Sequence, residues 1–151
     1  MNLSDPFKIL SPNERWAPTQ GQMDAFQNAY EKLLPPLVYK IRIAVAKWRD
    51  EGYQGASETS KSLLNFWFNQ EHLIGQTKFS FFFSQREAIE SIIYLYEIAK
   101  ARDKYELVRF DSSQRVSTGM FEETWTRYVI KMATGAGKTK VMGLTLVWSY
   151  F

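Results

Sequence analysis

One stretch of this chain has residue types and spacing that dictate a chemistry: Met132-Ala133-Thr134-Gly135-Ala136-Gly137-Lys138-Thr139. Glycines at 135 and 137 let a backbone curl until successive N–H groups converge, and a helix opening behind them adds its positive end. Such a nest holds polyphosphate. Lys138 is the mobile cation that reaches the β- and γ-phosphates of a nucleotide, and the Thr139 hydroxyl is placed to ligate Mg2+. Thr134, Gly135, Ala136 and Gly137 contribute loop amides. The spacing departs from the general G-x-x-x-x-G-K-[ST] loop at its first position, which is Met132 here.

A phosphate loop needs a strand before it and a helix after it. Arg127-Tyr128-Val129-Ile130-Lys131-Met132 has the β-branched and aromatic content of a strand, and the residues from Lys138 onward continue as a helix. The second informative segment is Phe81-Phe82-Phe83-Ser84-Gln85-Arg86-Glu87-Ala88-Ile89. Ser84 and Glu87 have the spacing of a capping box, with Phe83 and Ala88 at staple positions, which predicts a helix starting at Gln85. Ile89, Ile92, Ile93, Tyr96 and Ala99 are its expected buried stripe. Gln85 then stands in the first turn with its amide pointing outward, able to offer a donor and an acceptor to the N6 and N7 edge of adenine. The competing reading makes Gln85 a helix-start residue and nothing more.

The Thr134-Gly135-Ala136-Gly137-Lys138-Thr139 core resembles motif I of superfamily 2 helicases and translocases, in which the first position is often not glycine. Gln85 resembles their Q-motif, although the interval to Gly137 is longer than in the compact DEAD-box form. Together the two segments are similar to the N-terminal part of the restriction subunit of type III restriction enzymes and related DEAD/DEAH-like helicases. The similarity covers residues 37–151 and is strongest over 81–97 and 127–143. It implies a mainly α N-terminal region leading into the first strand, P-loop (Walker A) and helix of a RecA-like α/β lobe. It further implies ATP and Mg2+ as cofactors and ATP hydrolysis coupled to movement on duplex DNA. In a longer parent it implies a DNA partner and, in some members, a restriction endonuclease domain or a modification subunit. Carried onto this sequence, Lys138 and Thr139 take the catalytic role, Thr139 the metal contact, and Gln85 with residues 134–139 the nucleotide.

With 151 residues the chain suffices for one domain, yet Thr139 lies so close to Phe151 that the acidic strand and second lobe of a motor have no room. The expectation is therefore a fragment or a truncated reading frame of a longer protein. Hydrophobic content of 45% with 23% charged residues is that of a globular protein. An aromatic content of 16% fits a packed core or a surface awaiting a partner, since no alternation with Lys or Arg marks a base-stacking platform. A net charge of +3 is too small to mark nucleic-acid binding by itself. The absence of Cys excludes disulfides and thiolate metal sites, and the single histidine, His72, excludes a His-based metal cluster or a Ser-His-Asp triad. No apolar run approaches membrane-spanning length, so no membrane partner and a cytoplasmic location are expected.

Along the chain, Pro6, Pro12 and Pro18 predict an extended arm over 1–20. A helical region over 21–104 follows. Its first helix carries Met23, Phe26, Tyr30, Leu33 and Leu34 and stops at Pro35-Pro36. The next runs from Leu37 to Arg49 with Leu37, Ile41, Ala44, Val45 and Trp48 on one face. Its flanking Lys40, Lys47, Arg42 and Arg49 suit a membrane-surface or polyanion-binding helix, or ordinary snorkelling over a buried face, which is the favoured reading. Ser57 or Thr59 caps a third helix in which Phe66-Trp67-Phe68 is core and His72 meets the C-terminal dipole. Residues 105–126 read as an insertion or loop, with a strand over Tyr105–Phe110 and a Ser/Thr/Gly loop from Asp111 to Thr118, before the ATPase segment at 127–151. Two other readings stay open: another P-loop NTPase or phosphotransferase that uses the cradle without a base-reading Gln, and a non-catalytic interaction module.

Overall fold

The structure, a computed structural model, describes residues 5–12, 37–111, 116–120 and 127–151. The expected helix over 21–34, half of the Ser/Thr/Gly loop (112–115) and the expected arm apart from 5–12 lie outside the described residues. What is described is mostly helical with one small antiparallel sheet. In order come α1 (Val38–Asp50), α2 (Glu58–Asn69), β1 (His72–Ile74), β2 (Thr77–Phe79) and α3 (Phe83–Ile93). A π-helical turn (Tyr94–Ile98), α4 (Lys104–Val108), a short 3-10 turn (Thr118–Met120) and α5 (Lys138–Tyr150) complete them.

Helix α1 buries Val45 and Trp48 from the stripe that its sequence predicts, and its last turn carries Lys47 and Arg49, which suit the negative helix end. The chain then turns through Gly52, Tyr53 and Gly55, all with positive φ. Tyr53 is the costly one, since a Cβ crowds the backbone at φ 59°. Tertiary contacts hold it there: its ring meets Trp48 edge-on at 4.9 Å, and its hydroxyl donates to Glu90 at 2.6 Å. Ser57 caps α2 by accepting from the Ser60 N–H, and α2 buries Leu64 and Trp67. Phe66 is half exposed rather than core, because it lies a third of a turn from Trp67. His72 sits on β1, not in the helix, yet its Nε2 lies 2.8 Å from the Phe66 carbonyl oxygen at the end of α2. β1 and β2 pair in the register His72 to Phe79, around a turn in which Gly75 has φ 63°.

Helix α3 is the centre of the molecule. Ile89 and Ile93 are fully buried and join Trp48, Leu64, Trp67 and, from α5, Leu144 in the main core. Glu90 is fully buried beside them. Its carboxylate accepts from Arg49 Nε at 2.9 and 3.0 Å, Arg86 Nε at 2.8 Å and the Tyr53 hydroxyl, and it also pairs with Arg49 Nη2. This knot ties α1, the turn after it and α3 together. Burial, and then the charge and hydrogen bond of Glu90, push the Tyr53 hydroxyl up to about 12. Burial opposes the charge on Arg49, but the hydrogen bond and charge of Glu90 outweigh it and hold the guanidinium pKa above its ordinary value.

Four further local expectations are corrected. Helix α3 starts at Phe83, with Phe82 as N-cap in an extended conformation (ψ 149°), so the predicted start at Gln85 and the Ser84/Glu87 capping box do not form. Gln85 stands at N3 instead and supplies the reaching-back half of such a box by accepting from the Phe82 N–H at 2.9 Å. The π-helical turn then widens the helix, so that Leu95 is buried and Tyr96, expected in the stripe, is 38% exposed. Tyr105–Phe110 forms no strand. Asp103 accepts from the Tyr105 and Glu106 N–H groups at 2.8 and 2.9 Å and opens α4 there.

The fourth correction bears on the ATPase segment, where residues 127–133 run without strand pairing and the described residues hold no parallel strand. An isolated strand leaves its backbone groups to water, and β-rich composition does not offset that without a neighbour. Tyr128 pins the segment by donating its hydroxyl proton to the Ala101 carbonyl at 2.9 Å. Behind it, α5 packs on α3 through Val141 and Leu144. Near its far end Trp148 Nε1 donates to Ser60 Oγ at 2.8 Å and Glu97 Oε1 at 3.2 Å. The other faces of α5 are open, with Met142, Leu146 and Tyr150 each at least 70% exposed.

Candidate functional site

The Met132–Thr139 loop owes its shape to two glycines. Gly135 has φ 81° and Gly137 φ 75°, and Gly137 serves as N-cap of α5. A non-glycine residue would be strained at either position. Ala136 N–H donates to the Ala133 carbonyl at 3.2 Å, which closes the turn, and Lys140 N–H donates to the Gly137 carbonyl at 2.9 Å, which opens the helix. Lys138 bends back so that its Nζ donates to the carbonyls of Met132 and Ala133 at 3.0 and 2.9 Å. Its ammonium therefore lies over the loop and not along the helix. Thr134, Gly135, Lys138 and Thr139 are exposed, and Ala136 and Gly137 are half-buried.

The start of α5 is electrostatically unusual. It carries Lys138 and Lys140 and no acidic residue in its first turn, although a helix N-terminus favours negative charge. An anion at the loop offsets both the lysines and the helix end. Among the described residues no cluster of three or more His, Cys, Asp or Glu side chains is arranged to hold a metal ion. A hard cation here has the exposed Thr139 hydroxyl to add to oxygens brought by a ligand.

Gln85 does come to the loop, but not as an outward-pointing group. It is 4% exposed, and its Nε2 donates to the Ala136 carbonyl at 3.1 Å while its Oε1 accepts from Phe82 N–H. The fold thus brings together residues of the two sequence segments singled out above. A Cβ placed on Gly137 would overlap Gln85 Nε2. The expectation of a solvent-facing amide at position 85 fails because Gln85 stands one helical turn before Ile89, on the buried face that meets α5.

Other features were not anticipated. Arg86 stacks over Phe68 at 5.2 Å and lines an aromatic cleft of about 250 Å3 with Phe7, Phe79 and Phe83. Lys140 reaches the same wall, with Nζ 5.2 Å from the Phe79 ring centre. The described part of the N-terminal arm closes this side: Phe7 packs on Phe82 at 5.3 Å, and Phe83 N–H donates to the Pro6 carbonyl at 2.9 Å. A sequence signal for the setting of Arg86 is its i,i+4 spacing from Glu90, although the cation precedes the acid, the weaker order of such a pair. No protein-family model matches the chain, and neither a curated protein nor a solved structure matches it at a significant level. No helix among the described residues is long and apolar enough to cross a membrane.

Proposed function

We propose that this chain binds MgATP through the loop from Thr134 to Thr139, as the nucleotide-binding start of a superfamily 2 DNA helicase or translocase of the type III restriction-subunit kind. The observation that carries the reading is the loop itself: two left-handed glycines leading into a helix N-terminus, with the Lys138 ammonium folded over them. The two lysines at that helix end add support, because a polyphosphate offsets them. Lys138 would leave the Met132 and Ala133 carbonyls for the β- and γ-phosphates, and Thr139 would complete the Mg2+ shell. The open apolar side chains of Val129, Met142 and Leu146 are what a RecA-like lobe around residues 127–151 would cover. Movement on DNA, and any nuclease or modification subunit, belong to that wider reading.

Calorimetric titration of MgATP into the chain and its Lys138→Ala variant tests the core of the proposal. Lys138→Ala is expected to weaken binding at least about tenfold, as loss of a charge-assisted hydrogen bond does. Equal affinity for the two proteins would refute a phosphate-binding role for the loop.

A further inference from the structure

We propose that Gln85 is a positioning residue for the phosphate loop, holding the Ala136–Gly137 peptide in place for the phosphates of any nucleotide instead of reading the base. The inference rests on the nucleotide-binding reading above and departs from it in the role of this one side chain. At 4% exposure the Gln85 amide offers no edge to a base approaching from solvent. Its two ends are engaged inside the protein, Oε1 with Phe82 N–H at 2.9 Å and Nε2 with the Ala136 carbonyl at 3.1 Å.

The anchor at the Phe82 end is firm. Phe82 is the N-cap of α3, its carbonyl accepts from Gln85 and Arg86 N–H, and its ring is packed against Phe7. At the loop end, the Ala136 carbonyl belongs to a planar trans peptide whose N–H is that of Gly137. In such a peptide the C=O and N–H point in opposite directions. Drawing the Ala136 oxygen toward Gln85 therefore aims the Gly137 N–H away from it, and that N–H is one of the group that a phosphate nest requires. Gly137 is suited to the arrangement twice over: φ of 75° favours glycine, and only a residue without Cβ leaves space for the Gln85 amide. Gln85 thus converts the fixed start of α3 into a fixed orientation of a loop peptide remote from it in sequence.

The test uses a ligand with no base. The full chain, Gln85→Met and Lys138→Ala are titrated with the magnesium complexes of tripolyphosphate, ATP and GTP, well below the melting midpoint of each protein. Gln85→Met keeps the side-chain volume and removes both hydrogen bonds. It is expected to weaken all three ligands by a common factor of about ten, the effect of losing one buried hydrogen bond to the loop. A variant that lowers the melting midpoint but binds tripolyphosphate as the wild type does would overturn the proposal, since the residue would then be structural only. Loss confined to ATP would overturn it in favour of base reading.

A measurement on the unaltered chain does not depend on the variant folding. The Gln85 side-chain amide resonances in a 15N correlation spectrum are expected to shift as much with tripolyphosphate as with ATP. A shift with ATP alone overturns the proposal. If neither ATP nor tripolyphosphate binds the wild type, or if Lys138→Ala changes nothing, it is the nucleotide-binding reading that has failed, and the positioning role falls with it.

Discussion

Replacing Glu90 with Gln should unfold this protein more readily than any single surface change, and the structure gives the size of the effect. Glu90 is fully buried, and around it stand the side chains of Arg49, at 7% exposure, and Arg86, at 15%. One carboxylate therefore answers two guanidinium groups in a region with little water. Glu90→Gln conserves shape, but it removes the charge and sets an amide N–H against cationic donors. Removing one member of a buried ion pair costs about 3–5 kcal/mol, because the remaining charge stays desolvated. A domain of this size has roughly 5–15 kcal/mol of stability in total, so the loss takes a large share of it. With a urea slope of about 2 kcal/mol/M, the unfolding midpoint should fall by about 1.5 M or more. Tyr53→Phe removes only the hydroxyl that donates to Glu90 and should cost about 1 kcal/mol. Urea titration followed by tryptophan fluorescence measures both. A Glu90→Gln shift no larger than that of Tyr53→Phe would refute the claim that the carboxylate charge holds α1 to α3.

Other expectations concern the docking and exposure of α5. Burial raises the Glu97 pKa, but hydrogen bonds from Ser60, Ser57 and Trp148 outweigh it, so the folded-state value lies below the ordinary 4.5. The stabilisation is thus present above about pH 4.5 and fades as pH falls through the lowered value; Glu97→Gln should flatten the acid limb of the stability profile, and an unchanged limb would count against the cluster. Trp148→Phe removes the indole donor to Ser60 and Glu97 and should loosen the end of α5, read as faster amide exchange from residues 144–150. The open apolar side chains of α5 should make the chain self-associate, and Leu146→Glu combined with Tyr150→Glu should lower that association by light scattering; deletion of 127–151 should not, because it uncovers Ile89 and Ile93 where Leu144 now packs.

The amino-acid sequence by itself determined the features that depend on neighbours along the chain. The positions of α1 and α2, a cap at Ser57 or Thr59 and the glycine-bent loop before α5 all follow from residues within a few positions of one another, because their hydrogen bonds close locally; the structure chose Ser57. Gly135 and Gly137 marked a backbone free to curl for the same reason, and the structure gives both a left-handed φ. The tertiary structure decided whatever needs a partner from elsewhere. Residues 127–132 have the composition of a strand, and among the described residues no strand pairs with them. Tyr96 leaves the predicted stripe because a π-helical turn shifts the helix phase. Glu90 reads as a surface charge on a period-3.6 pattern, and becomes the buried centre of a knot only once Arg49 and Tyr53 arrive from α1 and the turn beyond it. Gln85 was legible as a residue at a helix start, and its spacing from Ile89 puts it on the buried stripe, but the partner of its amide was set by the approach of Ala136 and Gly137, a contact between segments that no local spacing encodes.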